Sequence, residues 1–101
     1  MLTLNDLRTS KRKAILSLAA RHGAHDLRVF GSIARGEQRG DNDASSDLDL
    51  LVSWDRGRDL FDHVELKEDL QDLLGVKVDV ITEKTLHWYI RDRVLAEARP
   101  L

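Results

Sequence analysis

The chain has no cysteine, which excludes disulfide cross-links, thiolate metal centres and a cysteine nucleophile. Its one proline is Pro100, next to the last residue, and no low-complexity tract, internal repeat or linker divides the rest. No apolar run approaches membrane-spanning length and none resembles a signal peptide, so a cytoplasmic protein is expected. Positive charge is not in excess: the formal net charge is -2, which gives no global attraction to nucleic acid or anionic lipid. What remains is an ordinary globular profile, 42% apolar and 34% charged over 101 residues, expected to fold as a single domain spanning 1–101.

Hydrophobic periodicity supplies the element order. "TLND" at Thr3 to Asp6 fits a capping box, and Leu4, Leu7, Ala14, Ile15, Leu18 and Ala19 recur at helical spacing up to Gly23, with Thr9 and Ser10 as an interruption. "DLRVF" at Asp26 to Phe30 reads as a strand running into a turn at Gly31. Residues 36–46 hold glycines, polar residues and like charges without apolar period, and read as a flexible loop. The strand "DLDLLVS" follows. Asp59 to Leu74 then predicts a helix with Leu60, Phe61, Val64, Leu70, Leu73 and Leu74 on its inner side, ended by Gly75. "VKVDVI" is a third strand, and Glu83 to Ala98 a helix or short helix pair. Strands and helices in this order are compatible with a single sheet.

Side chains alternate across a strand, so Leu48, Leu50 and Val52 share one face while Asp47, Asp49 and Leu51 share the other. The same rule puts Val76, Val78 and Val80 opposite Lys77, Asp79 and Ile81. If the two strands are neighbours, Asp47, Asp49 and Asp79 converge on one point. Close carboxylates repel unless a cation neutralises them. Oxygen donors favour Mg²⁺, and three carboxylates can hold two such ions around a substrate phosphate. The pattern therefore predicts a nucleotide.

Thirteen of the 101 residues are aspartate, so roughly one or two Asp-x-Asp pairs arise by chance and context has to separate them. Asp41 and Asp43 lie in the polar loop and are assigned to solvent. Asp47 and Asp49 sit on an alternating strand downstream of Gly31 and Ser32, where "SIARG" can begin a short helix whose N–H groups cradle phosphate. Glycine lets the backbone approach closely, and the serine hydroxyl can donate to a phosphate oxygen. Arg35 either neutralises phosphate or forms a surface ion pair. His22, His25, His63 and His87 show no zinc spacing and are read as surface or packing residues. Of Trp88 and Tyr89, one is expected to pack inward and the other to face a partner.

In that order, "GSIARG", "SDLDLLV" and "VDVI" resemble the signature of the DNA polymerase beta-like nucleotidyltransferase superfamily. The size and the tail "LLGVKVDVITEKTL…IRDRVLAEARPL" are similar to the minimal nucleotidyltransferases, the MNT proteins encoded beside HEPN-domain toxins. The resemblance implies an α+β fold, a small mixed β-sheet with helices packed against it, and transfer of a nucleoside monophosphate by a two-metal mechanism, with Asp47 and Asp49 holding both Mg²⁺ ions. Asp79 would bind the metal that activates the acceptor hydroxyl or help deprotonate it, and Gly31 and Ser32 would hold the triphosphate. For an MNT-type antitoxin it implies ATP as substrate, AMP as the transferred group, and a tyrosine of a cognate HEPN ribonuclease toxin as acceptor. The segment between "GSIARG" and "SDLDLLV" is longer than the family pattern and stands beside the expected triphosphate.

Two other functions stay open at this point. One is an antitoxin that neutralises its toxin by binding alone; the other is nucleotidyl transfer to a small molecule. A helix-turn-helix DNA binder fits less well, since the strand alternation is pronounced and no basic recognition helix stands out.

Overall fold

The computed structural model describes residues 2–36 and 47–101; the loop aspartates Asp41 and Asp43 lie outside the described residues. Helix α1 (Leu4–Arg8) starts at a full capping box, in which the Thr3 hydroxyl accepts from Asp6 N and the Asp6 carboxylate accepts from Thr3 N. It ends where the Thr9 hydroxyl donates to the Asn5 carbonyl, the local side-chain bond that makes threonine a poor helix interior residue. Helix α2 (Arg12–Arg21) then buries Ile15 and Ala19.

Strand β1 (Ala24–Phe30) pairs antiparallel with β2 (Leu48–Trp54), and β2 pairs parallel with β3 (Val78–Ile81). Between β2 and β3 runs helix α3 (Leu60–Leu74). After β3 come a 3₁₀ turn (Glu83–Thr85), helix α4 (Trp88–Glu97) and a two-residue strand β4 (Arg99–Pro100). The sheet order is β3-β2-β1-β4, with β4 antiparallel to β1. This is the expected small mixed sheet. The pairing at β4 escapes sequence reading because two residues carry no alternation, and a proline there is tolerated at a sheet edge.

The core lies between one face of the sheet and helices α1 to α3. It contains Leu7, Ile15, Ala19, Leu27, Val29, Leu48, Leu50, Val52, Leu66, Leu70, Val78 and Val80. The strand alternation thus reads correctly. The predicted inner side of α3 holds only in part: Leu70 is buried and Leu74 packs against the core, but Leu60, Phe61 and Val64 do not turn inward. Leu66 and Leu70 are buried, while Leu60 and Val64 are exposed and Phe61 is 77% exposed. Leu60, Phe61 and Val64 fall on a stripe turned by roughly 100° or more from the Leu66–Leu70 line at the α-helical period. The helix is apolar on two sides, and the sheet can cover only one.

Asp59 and Asp62 close the start of α3 with a reciprocal capping box. The Asp59 N–H bond, with Arg58 beside it, holds the Asp62 carboxyl below the usual carboxylate range. Gly75 closes the other end in the left-handed region, its N–H donating to Gln71 O at 2.8 Å, the expected glycine C-cap. The Gln71 side chain also accepts from Val78 N at 3.1 Å, which occupies a donor on the edge strand β3. No helix among the described residues is long and apolar enough to cross a membrane.

Candidate active site

The face of the sheet opposite the main core carries the aspartates singled out from the sequence. Register places Phe30, Asp49 and Asp79 in one row across β1, β2 and β3, and Arg28, Leu51 and Ile81 in the next. Asp49 and Asp79 are therefore direct neighbours on parallel strands, and the assumption that "DLDLLVS" and "VKVDVI" are adjacent holds. Two carboxylates this close repel in the absence of a cation. They are hard oxygen donors, the type that suits Mg²⁺.

Asp47 stands just before β2, two residues upstream of Asp49. Its backbone N–H donates to Lys77 O at 3.0 Å and its carboxylate accepts from Lys77 N at 3.2 Å. It fastens the entrance of β2 to the segment leading into β3. Among the described residues no three histidine, aspartate or glutamate side chains stand together as a metal-holding group. The structure brings Asp49 and Asp79 side by side, with Asp47 at the strand entrance engaged on the backbone.

β1 delivers the chain to Gly31, which has φ +78°. A Cβ built on Gly31 would run into Asp49 Oδ2 and lie 3.2 Å from Asp49 Cγ. Only glycine satisfies both the backbone angle and this approach. The same atoms show that the turn and the carboxylate are in contact, although the residues are 18 apart in the chain. "SIARG" does not begin the short helix expected from the sequence. Residues 32–36 form a turn, with Arg35 N donating to Gly31 O at 3.2 Å and Gly36 N to Ile33 O at 3.1 Å. Gly36, at φ +73°, ends it. Ser32 is buried within it. A single turn lacks the aligned peptide dipoles of a helix, so its anion preference rests on individual N–H groups.

Glu97, at the end of α4, was not foreseen. Its Oε1 accepts from Gly31 N at 2.6 Å and from Arg35 Nη1 at 2.8 Å. Of the two readings of Arg35, the ion pair is the one seen, but it lies within the turn rather than apart from it. A second ion-pair chain runs beside it: Arg28 Nη2 to Glu83 Oε1 at 2.6 Å, and Arg91 Nη2 to Glu83 Oε2 at 3.6 Å. The Arg28 hydrogen bond holds the Glu83 carboxyl below its usual range. These contacts fasten α4 to the site-bearing face. No sequence signal could have found them, because each partner is more than 50 residues from the other along the chain or belongs to a different element.

His22 is only 13% exposed and meets Asp69 Oδ2 at 2.7 Å, a helix-to-helix tie between α2 and α3. Trp88 and Tyr89 are both exposed, at 84% and 66%, and pack edge to face against each other; the expected inward turn of one of them does not occur. Two clefts of about 370 and 360 Å³ flank Ser53 and Glu83. They lie roughly 13 Å along β2 from Asp49 at the strand rise, apart from the carboxylate pair.

A carboxylate pair on adjacent strands, touching a glycine turn that carries a buried serine, has the oxygen donors and backbone approach that phosphoryl transfer uses. The nucleotidyltransferase domain model matches residues 11–101. The chain belongs to that family and is a nucleotidyltransferase. Within it, the likeness is to the minimal members. A solved minimal nucleotidyltransferase is 53% identical, with a TM-score of 0.80 over 99% of this chain and 97% of its own. Protein adenylyltransferase MntA of Thermococcus cleftensis is 36% identical over 97 residues, 96% of this chain and 94% of its own length. MJ0435 of Methanocaldococcus jannaschii, which bears the name of a protein adenylyltransferase by assignment, is 42% identical over 88 residues, 87% of this chain and 89% of its own. The fold alone is shared with the complex of a tri-AMPylated Shewanella oneidensis HEPN toxin and an MNT antitoxin. That chain is 17% identical, with a TM-score of 0.64 over 90% of this chain and 68% of its own.

Proposed function

We propose that this chain, acting as one domain, is an antitoxin that transfers AMP from ATP to a tyrosine hydroxyl of a cognate HEPN ribonuclease toxin and so neutralises it. The observation that carries the reading is the register of Asp49 against Asp79 with Gly31 in contact with Asp49. The names of the adenylyltransferase relatives supply the AMP group and the protein acceptor. The Shewanella complex supplies the kind of partner. The exposed Trp88–Tyr89 pair and the Leu60, Phe61 and Val64 stripe suit a chain that works against another protein.

Asp47, Asp49 and Asp79 are the residues assigned to two Mg²⁺ ions, with Asp47 turning from the Lys77 amide toward the pair. Cations held there would neutralise charge and polarise the phosphoryl oxygens. Gly31, Ser32 and Arg35 bind the triphosphate and orient its α-phosphorus. The tyrosine oxygen forms a bond to the α-phosphorus as the bond from that phosphorus to the bridging oxygen breaks. Pyrophosphate leaves, and Asp79 receives the hydroxyl proton. Intact-mass measurement of the co-purified partner after incubation with ATP and Mg²⁺ tests the reading. An added AMP mass with wild type, absent with Asp47→Asn/Asp49→Asn, is the expected result. No added mass, with the partner inhibited by both forms, would leave an antitoxin that acts by binding alone.

A further inference from the structure

The proposed triphosphate turn already holds an anion, and that anion belongs to the protein. Glu97 Oε1 lies 2.6 Å from Gly31 N and 2.8 Å from Arg35 Nη1, and the Glu97 side chain is only 20% exposed. Two of the donors assigned to phosphate thus converge on one carboxylate oxygen. Carboxylate and phosphate oxygens present the same charged acceptor to N–H groups. An amide has one hydrogen, and a bond of 2.6 Å uses it, so Glu97 and a phosphate oxygen are alternatives at Gly31.

We infer that Glu97 sets the nucleotide affinity of this enzyme: its carboxylate holds the 31–35 turn in shape and gives way to a triphosphate oxygen when nucleotide binds. The inference rests on the reading of that turn as the nucleotide site. The exchange is a side-chain movement, because the backbone around Glu97 is fixed. Ala98 N donates to Val94 O, Arg99 and Pro100 pair with Val29 and Arg28, and Leu101 N donates to Leu27 O. From the other side, Arg8 Nε and Arg12 Nε hold the carbonyls of Pro100 and Leu101 at 3.1 and 3.0 Å. What remains free is the set of glutamate rotamers.

A brace and a competitor predict opposite signs. If Glu97 only braced the turn, removing its charge would loosen Gly31 and Arg35 and weaken nucleotide binding. As a competitor it must be displaced, and its charge repels the incoming phosphates. The deciding experiment is calorimetric titration of AMP-PNP with Mg²⁺ into the full chain as wild type, Glu97→Gln, Glu97→Ala and Gly31→Ala, with a melting curve for each. Both Glu97 variants are expected to bind roughly fivefold tighter, the scale of one partly exposed charge pair, and Gly31→Ala weaker. Glu97→Asp keeps the charge but withdraws the oxygen by one methylene; it is expected to move the same way and covers the case in which the neutral variants do not fold. Folded Glu97 variants that bind equally or more weakly, while Gly31→Ala still weakens binding, overturn the inference and leave the nucleotide turn standing. No binding by wild type, or no effect of Gly31→Ala, removes the nucleotide turn and the inference with it.

Discussion

Alternate residues of β2 face two different environments. Leu48, Leu50 and Val52 are sealed under the helices, while Asp49, one position off, stands beside Asp79 and under Gly31. The first set stabilises the fold by removing apolar surface from water. The second set works against it, since neighbouring carboxylates repel and a left-handed glycine loses more chain entropy on folding than other residues. On this strand Leu50 serves stability and Asp49 the proposed chemistry, although Leu51, on the Asp49 side, is buried too. A substitution at Leu50 or at Asp49 should affect one property and spare the other.

The sharpest break of that comparison is Asp49→Asn. AMP transfer, followed by intact mass of the acceptor, is expected to fall on the order of 10³-fold, the scale of losing one preorganised transition-state group. The melting temperature of the same variant should change little, because Asp49 lies outside the apolar core. Leu50→Ala is the converse: it should lose about 3 kcal/mol in urea unfolding, the usual result of emptying a buried leucine site, while the folded fraction keeps its specific activity. A reversed pattern in either variant would break the division of labour between the faces.

Two glycines sharpen it further. Gly31 and Gly75 both have positive φ, +78° and +71°, but a Cβ at Gly75 meets nothing within 4 Å whereas one at Gly31 meets Asp49. Replacement by alanine should cost each about 1 kcal/mol in backbone strain. Gly31→Ala should lose activity as well, because it pushes the carboxylate from its place; Gly75→Ala should not. Comparison of urea midpoints with transfer rates for the two variants checks this.

The smallest effect is expected at Glu83. Its carboxyl is held below the usual range by Arg28, so the folded state takes up its proton at lower pH than the unfolded chain. The stabilisation is then complete above the ordinary glutamate pKa and fades as pH falls through the lowered folded value. Glu83→Gln should lower the melting temperature slightly at pH 7 and converge with wild type in acid. Equal melting curves at neutral pH would show that the Arg28–Glu83–Arg91 chain does not help hold α4.

Much of this was legible from local pattern. The Thr3 capping box, the Gly75 stop and the alternation of "DLDLLVS" each depend on residues within a turn or a strand of one another, and each is present. The inner side of α3 was read only in part, Leu70 correctly, because the helix carries two apolar stripes and only packing selects Leu66 over Phe61. The "SIARG" segment was read as a helix start because its residues permit one; instead the chain forms a single turn ending at Gly36.

By itself, then, the sequence determined most of the elements, the two faces of its strands and the identity of the charged groups, since these follow from periodicity and side-chain chemistry over a few residues. It also carried the ordered signature that placed the chain among the nucleotidyltransferases. Tertiary structure alone decided that Asp79 stands opposite Asp49, that Gly31 leaves room for that carboxylate, and that Glu97 reaches back across the chain to Gly31 and Arg35. Those contacts join residues from 18 to 66 positions apart, and strand register and the docking of α4 are collective outcomes of packing that no local pattern encodes.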